Sequence, residues 1–409
     1  MTIGVGGSSA EIELDRLVDM TAGSAPIGRE EYKTRITRVQ ELMRDKDIAA
    51  LYLNAGTSLS YFTGTDWHAS ERMVGALLPA DGVISYISPV FEIGTLEQYM
   101  GVTGEVHGWE EHQSPYGLLK DMLTSLGLTS GTIALDESCP FFISNGIALA
   151  APDFEFVNGD RITVPCRQIK SENEIALMQR AKDMTLEVQK AAARILRPGI
   201  TTKEVGEFIY QAHVKVGAPA GSYFVIVLFG EDTAYPHGVK NPKTLSENDM
   251  VLIDTGCQLH GYISDITRTY VFGKPNARQR QIWDIEKQAQ AAAFHQAQLG
   301  SRCGDVDLAA RACLEKHQLG PDYKLPGLPH RTGHGIGMDI HEWPYLNSGD
   351  NSTLEAGMCF SNEPMICVPG EFGVRLEDHF YMTETGPKWF TEPSFSIDDP
   401  FGDKKHHRL

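Results

Sequence analysis

The stretch VLIDTGCQLHGYISDITRT at 251–269 decides how the chain is read. An apolar run ends at Asp254, and a second β-rich run begins at Asp265. Gly256 and Gly261 let the chain reverse between them. The pattern predicts paired strands that carry both acids on one face of a sheet. Two close carboxylates on a mostly apolar element repel and desolvate each other, and a divalent cation between them relieves both penalties. Aspartates of a hairpin also serve simply as turn formers. The stretch therefore needs further donors elsewhere before it reads as a metal site.

Three later stretches supply them. HRTGHGIGMDIHEWP (330–344) holds His330, His334 and His341 among glycines. SNEPMICVPG (361–370) sets Glu363 after a strand-like run, and GVRLEDHFYM (373–382) sets Glu377 in an alternating strand. The spacings are 11 residues from Asp254 to Asp265, 29 from His334 to Glu363 and 14 from Glu363 to Glu377. Four carboxylates and one imidazole are the donor inventory of a two-metal site with bridging acids, because four negative charges offset two divalent ions. Oxygen-rich ligation with one nitrogen suits Mn2+ best, with Co2+, Fe2+ and Zn2+ as alternatives.

Bulk properties bound the rest. At 409 residues the chain is long for a single core, so two domains are expected. Its 42% apolar and 22% charged residues are those of a globular protein. A formal net charge of −18 argues against nucleic acid or an anionic membrane as partner. The basic cluster at 404–408 is short and terminal, and reads as a frayed end. Seven cysteines, an odd number with no Cys-x-x-Cys, point to reduced thiols and a cytoplasmic protein. The N-terminus lacks the basic and apolar regions of a signal peptide, and FVIVLF (224–229) is too short to span a bilayer.

Along the chain, residues 1–27 are Gly/Ser-rich and read as an arm. Tyr32, Ile36, Val39, Leu42 and Met43 recur at helical steps. IAALYLN, GALLP and VISYISP follow as strands, and the alternation to 165 reads as an α/β domain over 28–165. Ser171 and Glu174 form a capping-box pattern at the head of a long helix, which opens a second domain over 166–409. There a second helix (about 202–216), strands, helices at about 276–299 and 304–318, and further strands read as α+β on an antiparallel sheet.

In order, type and spacing, IDTG…GYISDITRT, HRTGHGIG, NEP and VRLED resemble the ligand motifs of the pita-bread metallopeptidases, which include prolidase, aminopeptidase P and methionine aminopeptidase. The spacings are similar to those of short microbial prolidases, and the first half resembles their creatinase/prolidase-type N-terminal domain. The likeness spans about 30–390, and WHASERMVGALLPADG (67–82) resembles a bacterial Xaa-Pro dipeptidase subfamily.

The resemblance implies an α/β N-terminal domain and an α+β pita-bread catalytic domain. It implies two divalent ions, with Asp254 on the first, Asp265 and Glu377 bridging, and His334 and Glu363 on the second. It further implies hydrolysis of Xaa-Pro dipeptides by a bridging hydroxide, with Glu363 as general acid/base, and a homodimer acting on small peptides. His341 would steady the oxyanion, and His237, in AYPHG, would line the cleft. Arg375 shares the strand face of Glu377 and is expected to hold the acids by a charge-assisted pair. His330 reads as a supporting histidine, His260 and His379 as incidental, and His213 as a surface or packing residue.

Candidate pocket walls are Tyr223, Phe224, Ile226, Tyr235, Trp343 and Tyr345. Trp67 and His68 are candidates for restricting substrate length across a dimer. Three departures from the family stand out. Tyr345 occupies the place of an arginine that can clamp a substrate carboxylate in many prolidases. Cys367 replaces a tyrosine, and Tyr235 replaces an aliphatic residue. The first keeps aminopeptidase P-like cleavage of longer peptides open, and relatives acting on small amides share the fold. Creatinase acts without metal and lacks this acid set.

Overall fold

The computed structural model describes residues 1–403, so the basic cluster at 404–408 lies outside the described residues. The chain divides into two compact units, Pro26–Arg167 and Met1–Ala25 with Gln168–Leu409. The N-terminal segment therefore does not behave as the separate arm expected over 1–27. Its helix α1 (Ala10–Arg16) buries Glu13, which accepts bonds from Arg16 at 2.8 Å and from Arg194 Nε at 2.7 Å. Backbone bonds from Thr2 to Gly273 (2.8 Å) and from Gly6 to Ala193 (2.9 Å) complete the docking. Polar bonds rather than an apolar stripe hold the segment, which is why hydrophobic periodicity could not reveal it.

In the first unit, α2 (Arg29–Asp45) buries Val39 and Met43 as the helical spacing predicts, and packs on β1 (Ile48–Asn54). After α3 (Thr57–Thr63) come β2 (Gly75–Pro79), β3 (Ser85–Pro89), α4 (Ile93–Tyr99), β4 (Glu105–Trp109), α5 (Pro115–Ser125), β5 (Gly131–Leu135), α6 (Phe141–Ala150), β6 (Phe154–Asn158) and α7 (Asp160–Arg167). The sheet order is β4-β3-β2-β1-β5-β6. It is mixed: β1 runs parallel to β5 and antiparallel to β2. Alternate residues Ala50 and Tyr52 of β1 meet Leu119, Leu123, Ile143 and Ile147 of α5 and α6 in one apolar core.

The second unit opens with α8 (Glu172–Arg194) and α9 (Thr202–Lys215), each started by a complete capping box, Ser171 with Glu174 and Thr201 with Glu204. The strands β7 (Ser222–Phe229), β8 (Met250–Leu259), β9 (Tyr262–Ile263) and β10 (Ile266–Val271) form an antiparallel sheet ordered β10-β8-β7, with β9 folded back on β8. Helices α10 (Ala277–Gln296) and α11 (Cys303–Glu315) follow. Then come β11 (Gly333–Gly335), β12 (Glu342–Leu346), β13 (Cys359–Asn362), β14 (Met365–Val368), β15 (Phe372–Arg375), β16 (Asp378–Thr383) and β17 (Gly386–Trp389). These make a five-stranded sheet, β12-β11-β13-β16-β17, and the hairpin β14-β15.

Helix α8 packs on the first sheet, and α10 on β13 to β15. The core runs through both sheets, with Leu252, Trp283, Ala289, Phe360, Val374 and Phe380 among its members. Of the candidate ligands, Asp254 lies within β8 and His334 within β11, and Asp265, Glu363 and Glu377 lie between successive strands. Among the described residues, no helix is long and apolar enough to cross a membrane.

Candidate metal centre

The β8–β10 register sets the first two acids. Asp254 pairs with Ile226 on one side and Thr267 on the other. Asp265 lies two residues before Thr267, so the period of two brings both aspartates to one face as diagonal neighbours. Gly256 makes this crossing possible, since a Cβ there would lie 1.7 Å from the Ser264 carbonyl oxygen. His260 sits exposed at the hairpin tip with φ of 48°, a turn residue away from the donors.

The second sheet and the β14-β15 hairpin bring the other donors. His334 lies on β11; its Nδ1 bonds the Gly335 carbonyl at 2.9 Å, and its backbone N–H donates to Ser361 Oγ at 2.9 Å. That fixes the ring and points Nε2 at the acids. Nε2 is 3.1 Å from Glu363 Oε1 and 3.8 Å from Asp265 Oδ2. Glu363, between β13 and β14, is anchored by its own N–H on Thr332 O (2.8 Å) and accepts a bond from Ser361 Oγ at 3.2 Å. Glu377, between β15 and β16, accepts from Thr267 Oγ1 at 2.7 Å through Oε2. Asp265, His334 and Glu377 each offer a ligand atom, and those atoms lie within 4.8 Å of one another.

The electrostatics fit a cation. Asp254 Oδ1, Asp265 Oδ1 and Glu377 Oε1 are buried and have no hydrogen-bond partner among the described residues. Burial, reinforced by neighbouring carboxylates, pushes Asp265 and Glu377 well above the usual carboxylate range. Burial also works to raise Glu363, but His334, His330 and Arg375 hold it below that range. A donor set of unpaired buried oxygens with one oriented imidazole matches hard to borderline divalent ions.

The comparisons with known proteins follow this geometry. The sequence pattern described as metallopeptidase family M24 matches residues 176–384, and that of the creatinase/prolidase N-terminal domain matches 35–169. The chain is 33% identical over 362 residues to a Bacillus subtilis (strain 168) protein named "Putative dipeptidase YkvY", covering 88% of this chain and 97% of that one. The chain belongs to metallopeptidase family M24. Among solved structures, the M24 chain is similar to dipeptidase PepE from Mycobacterium ulcerans, with TM-score 0.83 and 31% identity over 90% of this chain and 97% of that one. It is similar also to a prolidase from Thermococcus sibiricus (TM-score 0.80, 27% identity, 88% and 97% covered). An X-Pro aminopeptidase from Thermotoga maritima is a further neighbour (TM-score 0.77, 26% identity, 88% and 98% covered). The fold is thus that of an M24 catalytic domain behind a creatinase-type N-terminal domain.

Around this M24 centre, Arg375 is buried and its guanidinium grips Asp254 Oδ2, while its Nε donates to Thr267 Oγ1 at 3.0 Å. His341 is exposed and meets the His334 ring edge-on at 4.2 Å. Partial burial, with His334 and Arg331 nearby, lowers its pKa to about 4, so it presents a neutral ring near neutral pH. Its loop is tied down by the buried Lys170–Glu342 pair (2.9 Å), whose carboxylate also accepts the N–H groups of Met338 and Asp339 at 3.0 Å. His237 is exposed and lines a cleft of about 550 Å³ together with Ile226, Leu228 and Tyr210. Tyr235, two residues before it, is 56% exposed.

Other candidates fall elsewhere. Tyr345 pairs with His334 across β11 and β12, and the Arg331 guanidinium lies 4.2 Å over its ring. Arg331 is not among the residues singled out from the sequence; the signal for it is its place inside HRTGHGIG. Cys367 packs in the apolar core, and burial pushes its thiol up to about 12. Trp67, in the first unit, packs edge-on against Tyr99 at 6.1 Å, and His68 beside it is exposed. Of the two roles expected for His213, surface or packing, it takes the packing one, buried between Thr185 (3.0 Å) and Ser222 (2.8 Å). His379, expected to be incidental, is fully buried with Nε2 3.4 Å from Glu377 Oε1.

Proposed function

We propose that this M24 metallopeptidase hydrolyses Xaa-Pro dipeptides at a centre of two divalent ions, Mn2+ being the ion its donors suit best. The observation that carries the reading is the convergence of Asp265, His334 and Glu377, with Glu363 3.1 Å from His334 and Arg375 on Asp254. Ions held by Asp254, Asp265, His334, Glu363 and Glu377 would supply Lewis acidity to the scissile carbonyl and to the water that attacks it.

The chain's own groups do the rest. Glu363, partly exposed at the site, takes a proton from the attacking water and returns it to the leaving nitrogen. His341, neutral and edge-on to the His334 ring, donates to the oxygen that gains charge. Arg375 holds Asp254 in place through its guanidinium, and His237 borders the cleft where substrate lies. Relatives named as dipeptidase and prolidase support the Xaa-Pro dipeptide choice. Arg331 supports it as well. A dipeptide brings its carboxylate next to the reaction centre, and the cation over Tyr345 can meet it where the usual arginine is missing.

The same substitution at Tyr345 favours the second reading, an X-Pro aminopeptidase acting on longer peptides. The test is turnover of Ala-Pro, Ala-Pro-Ala, creatine and ectoine with Mn2+, by the wild type and by Asp265→Asn and Arg331→Ala. Dipeptide-only turnover, a fall of about 100-fold or more in Asp265→Asn and a raised KM in Arg331→Ala are expected. Tripeptide turnover promotes the aminopeptidase, and undiminished turnover in Asp265→Asn removes the metal chemistry.

A further inference from the structure

His379 lies on β16, fully buried, with neither ring nitrogen hydrogen-bonded among the described residues. A buried polar atom without a partner is costly, so two on one ring call for an explanation. The strand period supplies one. Glu377 and His379 project to the same face, whereas Asp378 between them points away to Arg268 (2.7 Å) and Thr391 (2.9 Å).

On that face, His379 pairs across the sheet with Ser361, the residue whose hydroxyl touches both the His334 N–H and Glu363. The His379 ring lies 6.3 Å from that of His334. Its Nε2 is 3.4 Å from Glu377 Oε1, the one oxygen of that carboxylate left without a partner. The other oxygen already accepts from Thr267 at 2.7 Å. Each carboxylate oxygen has two lone pairs. One protein donor on each oxygen, Thr267 on Oε2 and His379 on Oε1, leaves one lone pair apiece for a cation.

We propose that His379 is a positioning residue of the metal centre, donating its Nε2–H to Glu377 Oε1 so that this carboxylate presents both oxygens to bound ions. The inference rests on the metal-centre reading above and adds to it a group that none of the ligand motifs contains. Outer donors of this kind orient a ligand and set its basicity, and their loss weakens metal binding about 10–100-fold.

The test uses the full-length chain as wild type, His379→Met and His379→Gln. The two substituents are unbranched and of similar length, and only glutamine keeps an N–H donor. Mn2+ affinity is measured calorimetrically on metal-free protein, with the melting temperature of the same metal-free samples alongside. His379→Met should bind Mn2+ about 10–100-fold more weakly than the wild type, with a metal-free melting temperature no lower. His379→Gln should recover most of the affinity. Equal affinities in all three proteins, or equal losses in both variants, would show His379 to be packing alone and overturn the inference while the metal centre stands. A wild type that binds neither Mn2+ nor Co2+ would instead remove the reading beneath it.

Discussion

Glu286 on α10 is fully buried, close to the Leu376 backbone and Arg375. Burial drives its carboxyl well above the ordinary 4.5, against the opposing pull of the Leu376 N–H and the Arg375 charge. The folded protein therefore keeps a proton that the unfolded chain releases above about 4.5, and folding stability falls as pH rises from there. Glutamine has the same shape and no proton to lose. Glu286→Gln should melt higher than the wild type, and the gap should widen from pH 5 to pH 8 in paired melting curves. A gap that stays constant or shrinks would mean that the folded protein ionises this group freely. Lys182 is the complementary case: burial lowers it to about 8, and its ammonium bonds the Ile263 carbonyl at 3.2 Å, two residues before Asp265.

Among the elements, the β8–β10 hairpin carries the most geometric weight. Its crossing at Gly256 leaves no room for a side chain, since the obstacle is the Ser264 backbone rather than a movable group. Gly256→Ala should cost about 3 kcal/mol or more in urea denaturation and weaken Mn2+ binding along with it, because the separation of Asp254 and Asp265 is set at that crossing. A variant with the wild-type midpoint would show that the hairpin can shift freely. The α8 cap offers the contrast. Ser171→Ala removes the acceptor for the Glu174 N–H and should cost about 1 kcal/mol. Its effect on metal affinity should be small, because Glu174 can still accept from Tyr262 Oη of β9 at 2.9 Å and keep that helix end on the hairpin.

For the whole molecule, metal binding, protonation and stability form one linked equilibrium. Burial and mutual repulsion favour the protonated forms of Asp265 and Glu377 when no cation is present. A divalent ion such as Mn2+ must displace those protons, so its affinity should rise with pH. Calorimetry in two buffers of different ionisation enthalpy measures the protons released; release near zero at pH 6 would contradict the assigned protonation. Binding to the folded state alone should also raise stability, by about 2.7 kcal/mol at a free ion concentration of 100 times Kd. The surplus of acid, −18 over the chain, works in the same direction by drawing cations toward the protein.

The sequence by itself determined the candidate donors and the local elements. Asp265, His334 and Glu377 could be picked out because ligand chemistry is a matter of residue type, and the period of a strand dictates which face each residue takes. The box at Ser171 was legible for a similar reason, since a cap is completed within four residues. Only the tertiary structure decided the surroundings of His379, Glu286 and Lys182, the stacking of Arg331 on Tyr345 and the docking of α1. Each depends on which groups from distant segments come to lie against it and on how much water they exclude. An alternating pattern places His379 on one side of β16, but the removal of that side from solvent, next to an unpaired oxygen of Glu377, arises only when the strands assemble.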